Sequence, residues 1–120
     1  MPYRIHRSDG IVEVEVSGNT SVTELLSAVR ELRAMDPRKE VSDLWTISED
    51  IVVPFAEFST IVANIKALCT SDMVGCKTAL VANGEFQRAV MDLYRSEAKA
   101  LPFQIGVFAS REQAIHWLKA

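Results

Sequence analysis

Hydrophobic and polar positions alternate near the start of the chain with the two-residue period of a β-strand. Two strands are predicted, at residues 3–7 and 11–16. Gly10 lies in the short turn between them and favours a hairpin, because glycine reaches positive φ without steric cost. In the second strand Val12, Val14 and Val16 fall on one face. The pattern therefore predicts an opening hairpin with one buried face.

Apolar residues then recur three and four positions apart, which is the period of an amphipathic helix, in four later segments. Ser21 and Glu24 form a capping box at the start of the first helix, and a second helix is predicted to start near Pro54. Ser110 and Gln113 form another capping box at the start of the last helix. The predicted buried positions of the second and third helices are Phe58, Ile61, Val62, Ile65 and Leu68, and Phe86, Ala89, Val90, Leu93 and Tyr94.

Three short apolar segments lie between these helices and predict further strands, at residues 44–47, 77–82 and 103–107. The segment 77–82 is almost continuously apolar, as expected for a strand that is covered on both faces. The order is therefore β-β-α-β-α-β-α-β-α, and right-handed crossovers make strands two to five parallel. We predict one α/β domain over residues 1–120, with a five-stranded, mostly parallel sheet, an antiparallel edge strand and four flanking helices.

Composition narrows the class of protein. Of the 120 residues 48% are hydrophobic and 24% are charged, which is typical of a globular chain and excludes a disordered one. The net charge of −3 argues against binding to nucleic acid, which requires a basic face. Neither a signal peptide nor a membrane-spanning segment is predicted, and Cys69 and Cys76 fit reduced, packed thiols. We therefore expect a cytoplasmic protein without a metal site.

The sequence offers little catalytic chemistry. It contains no Gly-x-Ser-x-Gly segment, and its two histidines, His6 and His116, fall on the predicted edge strand and the last helix. No nucleophile–base pair is therefore visible, and we expect a protein that is not an enzyme and needs no cofactor. Glu13 and Glu15 share one strand face, which we interpret as a charged surface that keeps the edge of the sheet exposed to solvent.

The most general argument for a site is topological, because open parallel sheets bind ligands outside the carboxyl ends of their strands. A ligand or partner is therefore expected at this edge, although for Gly84 a role in a tight strand-to-helix turn is the favoured interpretation. The residues that follow the strand ends, or lie beside them, are Ser48, Glu49, Asp50, Asn83, Gly84 and Arg111.

A second candidate surface is the uncharged segment 51–55, which continues into the second helix. Its large side chains are Val53, Phe55 and, one helical turn later, Phe58. One interpretation buries this segment under the C-terminal helix. The other makes it a patch that faces a partner or an apolar ligand.

The end of the chain carries a family resemblance. Residues 102–108 form a strand, and residues 111–118 a short helix that lays Ala114, Trp117 and Leu118 on the sheet. Together with the β-β-α opening and the strand 77–82 before an amphipathic helix, this ending resembles the SpoIIAA-like proteins, which are relatives of the STAS domain of anti-sigma-factor antagonists. In this resemblance Ser48 is the nearest counterpart of the phosphorylatable serine of the antagonists.

The resemblance implies a non-enzymatic regulatory or protein-interaction module that binds a protein partner or forms a homodimer. An alternative remains open, since the SEC14-like relatives in the wider family bind lipids in an apolar pocket. In that alternative the chain binds a small apolar ligand or a lipid near the second helix. The apolar segment 51–58 and the inner face of that helix would then form the binding site.

Overall fold

The computed structural model describes residues 3–8, 11–16, 21–35, 42–47, 57–68, 77–101 and 103–119. The strands in these ranges are β1 (Tyr3–Ser8), β2 (Ile11–Val16), β3 (Asp43–Ile47), β4 (Lys77–Val81) and β5 (Gln104–Phe108). The helices are α1 (Val22–Met35), α2 (Phe58–Leu68), α3 (Glu85–Glu97), which a short 3-10 turn extends, and α4 (Arg111–Lys119). The predicted fold class is confirmed.

The five described strands form one sheet in the order β1-β2-β3-β4-β5. β1 is antiparallel to β2, and each later pair is parallel. The crossovers from β2 through to β5 all advance in the same direction, so their right-handedness places α1, α2 and α3 on one face of the sheet. The helix α4 follows the last strand and packs on the opposite face, against β3, β4 and β5.

Each face of the sheet has its own hydrophobic core. On the first, which we call the three-helix face, Val14, Trp45 and Leu80 pack under α1, α2 and α3. On the second, which we call the α4 face, Leu44 and Ala79 pack under α4. The strands β3 and β4 are therefore covered on both faces. For β4 this is the burial that the apolar run at 77–82 predicts.

The third helix departs from the prediction. Its buried face is centred on Met91, while Phe86 is 71% exposed, Leu93 is 50% exposed and Ala89 also lies in solvent. Of the predicted positions only Val90 and Tyr94 pack against the core. The error arises because two apolar rows run along this helix with the same period, and only tertiary packing selects between them.

The helices α1 and α4 begin at the capping residues that the sequence predicts. The Glu24 backbone N–H donates to Ser21 Oγ at 3.2 Å, and the Ser21 N–H donates to Glu24 Oε1 at 3.0 Å, so the predicted capping box is confirmed. Ser110 Oγ accepts a hydrogen bond from the Gln113 N–H at 3.3 Å. The predicted start of the second helix near Pro54 lies outside the described residues.

No described helix has the length and hydrophobicity that a bilayer crossing requires.

Candidate functional site

An apolar cavity of about 100 Å³ lies between the three-helix face of the sheet and the helices that cover it. All three helices and the strands β3, β4 and β5 contribute to its wall. Among the described lining residues only Asp43, Thr78 and Tyr94 carry a side-chain oxygen. Apolar cavities bind small apolar molecules, and one of about 150 Å³ holds benzene. The cavity therefore has the surface of an apolar binding site, and its volume suits a small ligand.

A buried carboxylate interrupts this apolar wall. Asp43 and Thr78 are partners in the β3–β4 register, and both are buried. The Thr78 hydroxyl donates to Asp43 Oδ1 at 2.9 Å, and Trp45 Nε1 donates to Asp43 Oδ2 at 2.7 Å. We call these three residues the Asp43 cluster. The Trp45 and Thr78 donors each have a hydrogen-bond acceptor in it, because both point at the carboxylate. Their hydrogen bonds offset much of the cost of burying polar groups.

The cluster lies at the amino ends of the parallel strands, since Asp43 begins β3 and Thr78 is the second residue of β4. The topological rule predicts a site at the opposite, carboxyl ends. The cavity arises instead from three helices packed on one face, and its position follows from the helices rather than from the strand ends.

Among the predicted site residues that the structure describes, Phe58 is the one that lines this cavity. It is buried at the start of α2, and its ring meets the Tyr94 ring edge-on with centroids 5.7 Å apart. Phe58 lies on the three-helix face, whereas α4 covers the other face of the sheet; segment 51–55, with its two interpretations, lies outside the described residues. Phe58 also forms no exposed patch.

At the carboxyl edge, Asn83 and Gly84 lie in the turn from β4 to α3, with Asn83 exposed. Gly84 has a φ of −80°, so this turn does not require the conformational freedom of glycine. Arg88 Nη1 donates to the carbonyl oxygens of Ala82 at 3.0 Å and Asn83 at 2.7 Å. The acidic Glu85 occupies the first turn of α3, where it opposes an anionic ligand. In the described part of the predicted edge, hydrogen bonds within the chain hold the turn from β4 to α3, and ligand binding there stays a prediction.

Arg111, also predicted to be a ligand contact, forms an ion pair on the α4 face, and its role in ligand binding stays a prediction. Its Nε and Nη2 atoms donate to Glu13 Oε1 at 2.8 Å and Glu13 Oε2 at 2.7 Å. Glu13 is only 5% exposed, so its interpretation as a solvated residue is wrong. The hydrogen bond from Arg111 holds the pKa of Glu13 below its ordinary value, although burial acts in the opposite direction. His6 Nε2 lies 3.6 Å from Glu13 Oε2, and His6 Nδ1 lies 3.9 Å from Glu15 Oε2.

The remaining predicted site residues lie outside the described ranges, and their roles stay predictions. They are Ser48, with its proposed phosphorylation, and Glu49, Asp50, Val53 and Phe55.

Sequence reasoning missed the Asp43 cluster. The signal was a polar residue at the start of each of two neighbouring apolar strands, Asp43 before residues 44–47 and Thr78 within residues 77–82. Their hydrogen bond depends on the β3–β4 register, which hydrophobic periodicity does not specify.

Comparison of the chain with models of known protein families, with curated proteins and with solved structures finds no match. The assignment of a function therefore rests on the cavity and the surfaces described above.

Proposed function

We propose that this protein binds a small apolar ligand in the cavity between the sheet and the helices α1, α2 and α3, and that it acts by binding rather than by catalysis. The observation that carries the proposal is the cavity itself, with its almost entirely apolar wall. Burying apolar surface there stabilises a complex by about 25 cal/mol per Å². Since about 150 Å³ holds the six heavy atoms of benzene, a volume of about 100 Å³ suits a ligand of about four or five heavy atoms.

The test uses butan-1-ol as the probe and follows the methyl groups of the lining by NMR. Ile65 lies on the buried face of α2 and lines the cavity, so Ile65→Phe places a larger side chain in the space. Ala63 lies on the exposed side of the same helix, so Ala63→Phe is the matched control. The proposal predicts saturable shifts of Leu80 and Ile61 methyl signals in the wild type and in Ala63→Phe.

In Ile65→Phe those shifts are expected to disappear while the protein stays folded. Equal shifts in Ile65→Phe and the wild type would place the binding site elsewhere. No saturable shift in the wild type at any soluble concentration of butan-1-ol would refute the proposed function.

A second candidate function is the protein-interaction module that the SpoIIAA-like resemblance implies, with a protein partner or a second copy as the bound molecule. The exposed apolar row on α3 favours it, because Phe86 and Leu93 are the large hydrophobic residues most open to solvent among the described ones. Exposed apolar side chains in a row are typical of interaction sites.

Self-association through this row is tested by measuring the mass of the protein in solution across a range of concentrations. The double variant Phe86→Ser/Leu93→Ser is expected to raise the dimer dissociation constant by more than about tenfold, since each replaced side chain is an apolar contact. Ala67→Ser, on the exposed side of α2, is the control. A dimer that the double variant leaves unchanged would contradict this surface.

A further inference from the structure

In the Asp43 cluster, which forms part of the described cavity wall, both side-chain donors are directed at a carboxylate. The Thr78 hydroxyl hydrogen and the Trp45 indole N–H both point at the Asp43 carboxylate. Both Asp43 oxygens accept a hydrogen bond, and carboxylate and hydroxyl oxygens keep further lone pairs when they take part in such a bond. The Trp45 N–H and the Thr78 hydroxyl hydrogen are therefore already used, while the oxygens of the cluster can still accept.

We infer that the ligand is a small apolar molecule with a hydrogen-bond donor, such as an alcohol or an amine, and that the Asp43 cluster receives this donor. The inference rests on the proposed function and specifies its ligand class. A donor group placed against Thr78 and Asp43 keeps a hydrogen bond when it leaves water. An ether of the same size loses its bonds to water and gains none.

The same requirement disfavours anionic ligands. A carboxylate anion has no hydrogen to donate, so beside Asp43 it would place one acceptor against another. The ligand class is therefore narrower than apolarity alone would require.

Tyr94 supplies the third oxygen of the described lining, and its hydroxyl could act as donor or acceptor. Its ring packs against Phe58 of α2 rather than against the Asp43 cluster. The two polar groups can therefore be separated by mutation. Thr78→Val keeps the shape of the threonine side chain and removes its hydroxyl, and Tyr94→Phe removes only the phenol hydroxyl.

The experiment compares butan-1-ol with diethyl ether, two isomers of which only the alcohol donates a hydrogen bond, and adds butanoate as the anion. Binding is followed through the Trp45 indole N–H signal in the ¹H–¹⁵N spectrum. A Trp117→Phe variant identifies that signal, since Trp117 lies on the α4 face and is the second tryptophan of the chain. The Trp45 N–H reports on the cluster directly because it bonds to Asp43.

Butan-1-ol is expected to bind about tenfold more tightly than diethyl ether, which corresponds to about one hydrogen bond, and butanoate is expected to bind more weakly than the alcohol. Thr78→Val leaves Asp43 Oδ1 without this donor and is expected to increase the preference for the alcohol, and Tyr94→Phe is expected to leave it unchanged. Equal affinity for the two isomers in the wild type, or loss of the preference only in Tyr94→Phe, overturns the inference.

These outcomes separate the inference from the proposed function. If both isomers bind equally and Ile65→Phe blocks both, the cavity binds ligands and the donor requirement is wrong. If neither isomer shifts the signals of the lining, the proposed function fails as well. The comparison of isomers needs only the wild-type chain, so it remains decisive even if Thr78→Val does not fold.

Discussion

The ion pair between Glu13 and Arg111 gives a direct test of how α4 is docked on the sheet. Replacing Glu13 by Gln keeps the shape of the side chain but removes its charge. Two hydrogen bonds, at 2.8 and 2.7 Å, then lose their charged acceptor. Breaking a fully buried pair costs about 3–5 kcal/mol. Arg111 is half exposed and water screens it, so the expected loss of unfolding free energy is smaller, about 1–3 kcal/mol.

The same variant has a defined pH dependence. The pKa of Glu13 is lowered in the folded protein, so its contribution to stability is present above its unfolded pKa, near 4.5. That contribution is lost as the pH falls through the lower, folded pKa, where the carboxylate becomes protonated. The difference in stability between the wild type and Glu13→Gln is therefore expected to be full at pH 7 and to shrink below about pH 4.5.

Urea unfolding at a series of pH values measures both effects. Glu15→Gln is the matched control, because Glu15 lies on the same strand and the same face but is half exposed. We expect Glu15→Gln to change stability by less than about 0.5 kcal/mol. Equal and pH-independent losses in the two variants would refute the argument that Arg111 holds a buried carboxylate under α4.

Three further substitutions test the packing. Gly106→Ala would place a Cβ atom 2.8 Å from the Phe108 ring, which packs against Trp117, and is expected to cost about 1–3 kcal/mol in chemical unfolding. Ser21→Ala removes the N-cap of α1 and is expected to lower stability by about 1 kcal/mol, with no change in the Trp45 spectrum. Asp43→Ala leaves the Trp45 and Thr78 donors of the Asp43 cluster unpaired, and is expected to lose at least about 2 kcal/mol; a smaller loss would show that water replaces the carboxylate.

Much of the fold could be predicted from the sequence because its patterns are local. The alternation in residues 11–16, the apolar run at 77–82 and the capping box at Ser21 each indicate one element. A β-β-α start followed by alternating strands and helices then leaves few topologies. The row of Phe86 and Leu93 on α3 shows the limit of this reasoning, since its period fits a buried face and its position in the fold exposes it.

The candidate site was harder to predict because it depends on contacts between distant residues. Glu13 and Arg111 lie 98 positions apart, and Asp43 and Thr78 lie 35 apart. Periodicity assigned Glu13 to a strand face but could not show that the start of α4 covers it. The cavity likewise depends on how three helices fit against the sheet, which no single segment of sequence specifies.

The most direct test of the proposed function is a crystal structure of the protein under xenon pressure. Xenon is apolar, needs no hydrogen bond and enters dry cavities, so it tests the space independently of the Asp43 cluster. The account predicts an ordered xenon atom between Trp45, Ile65 and Leu80, and none there in Ile65→Phe. A crystal of the wild-type protein with xenon only at its surface would contradict it.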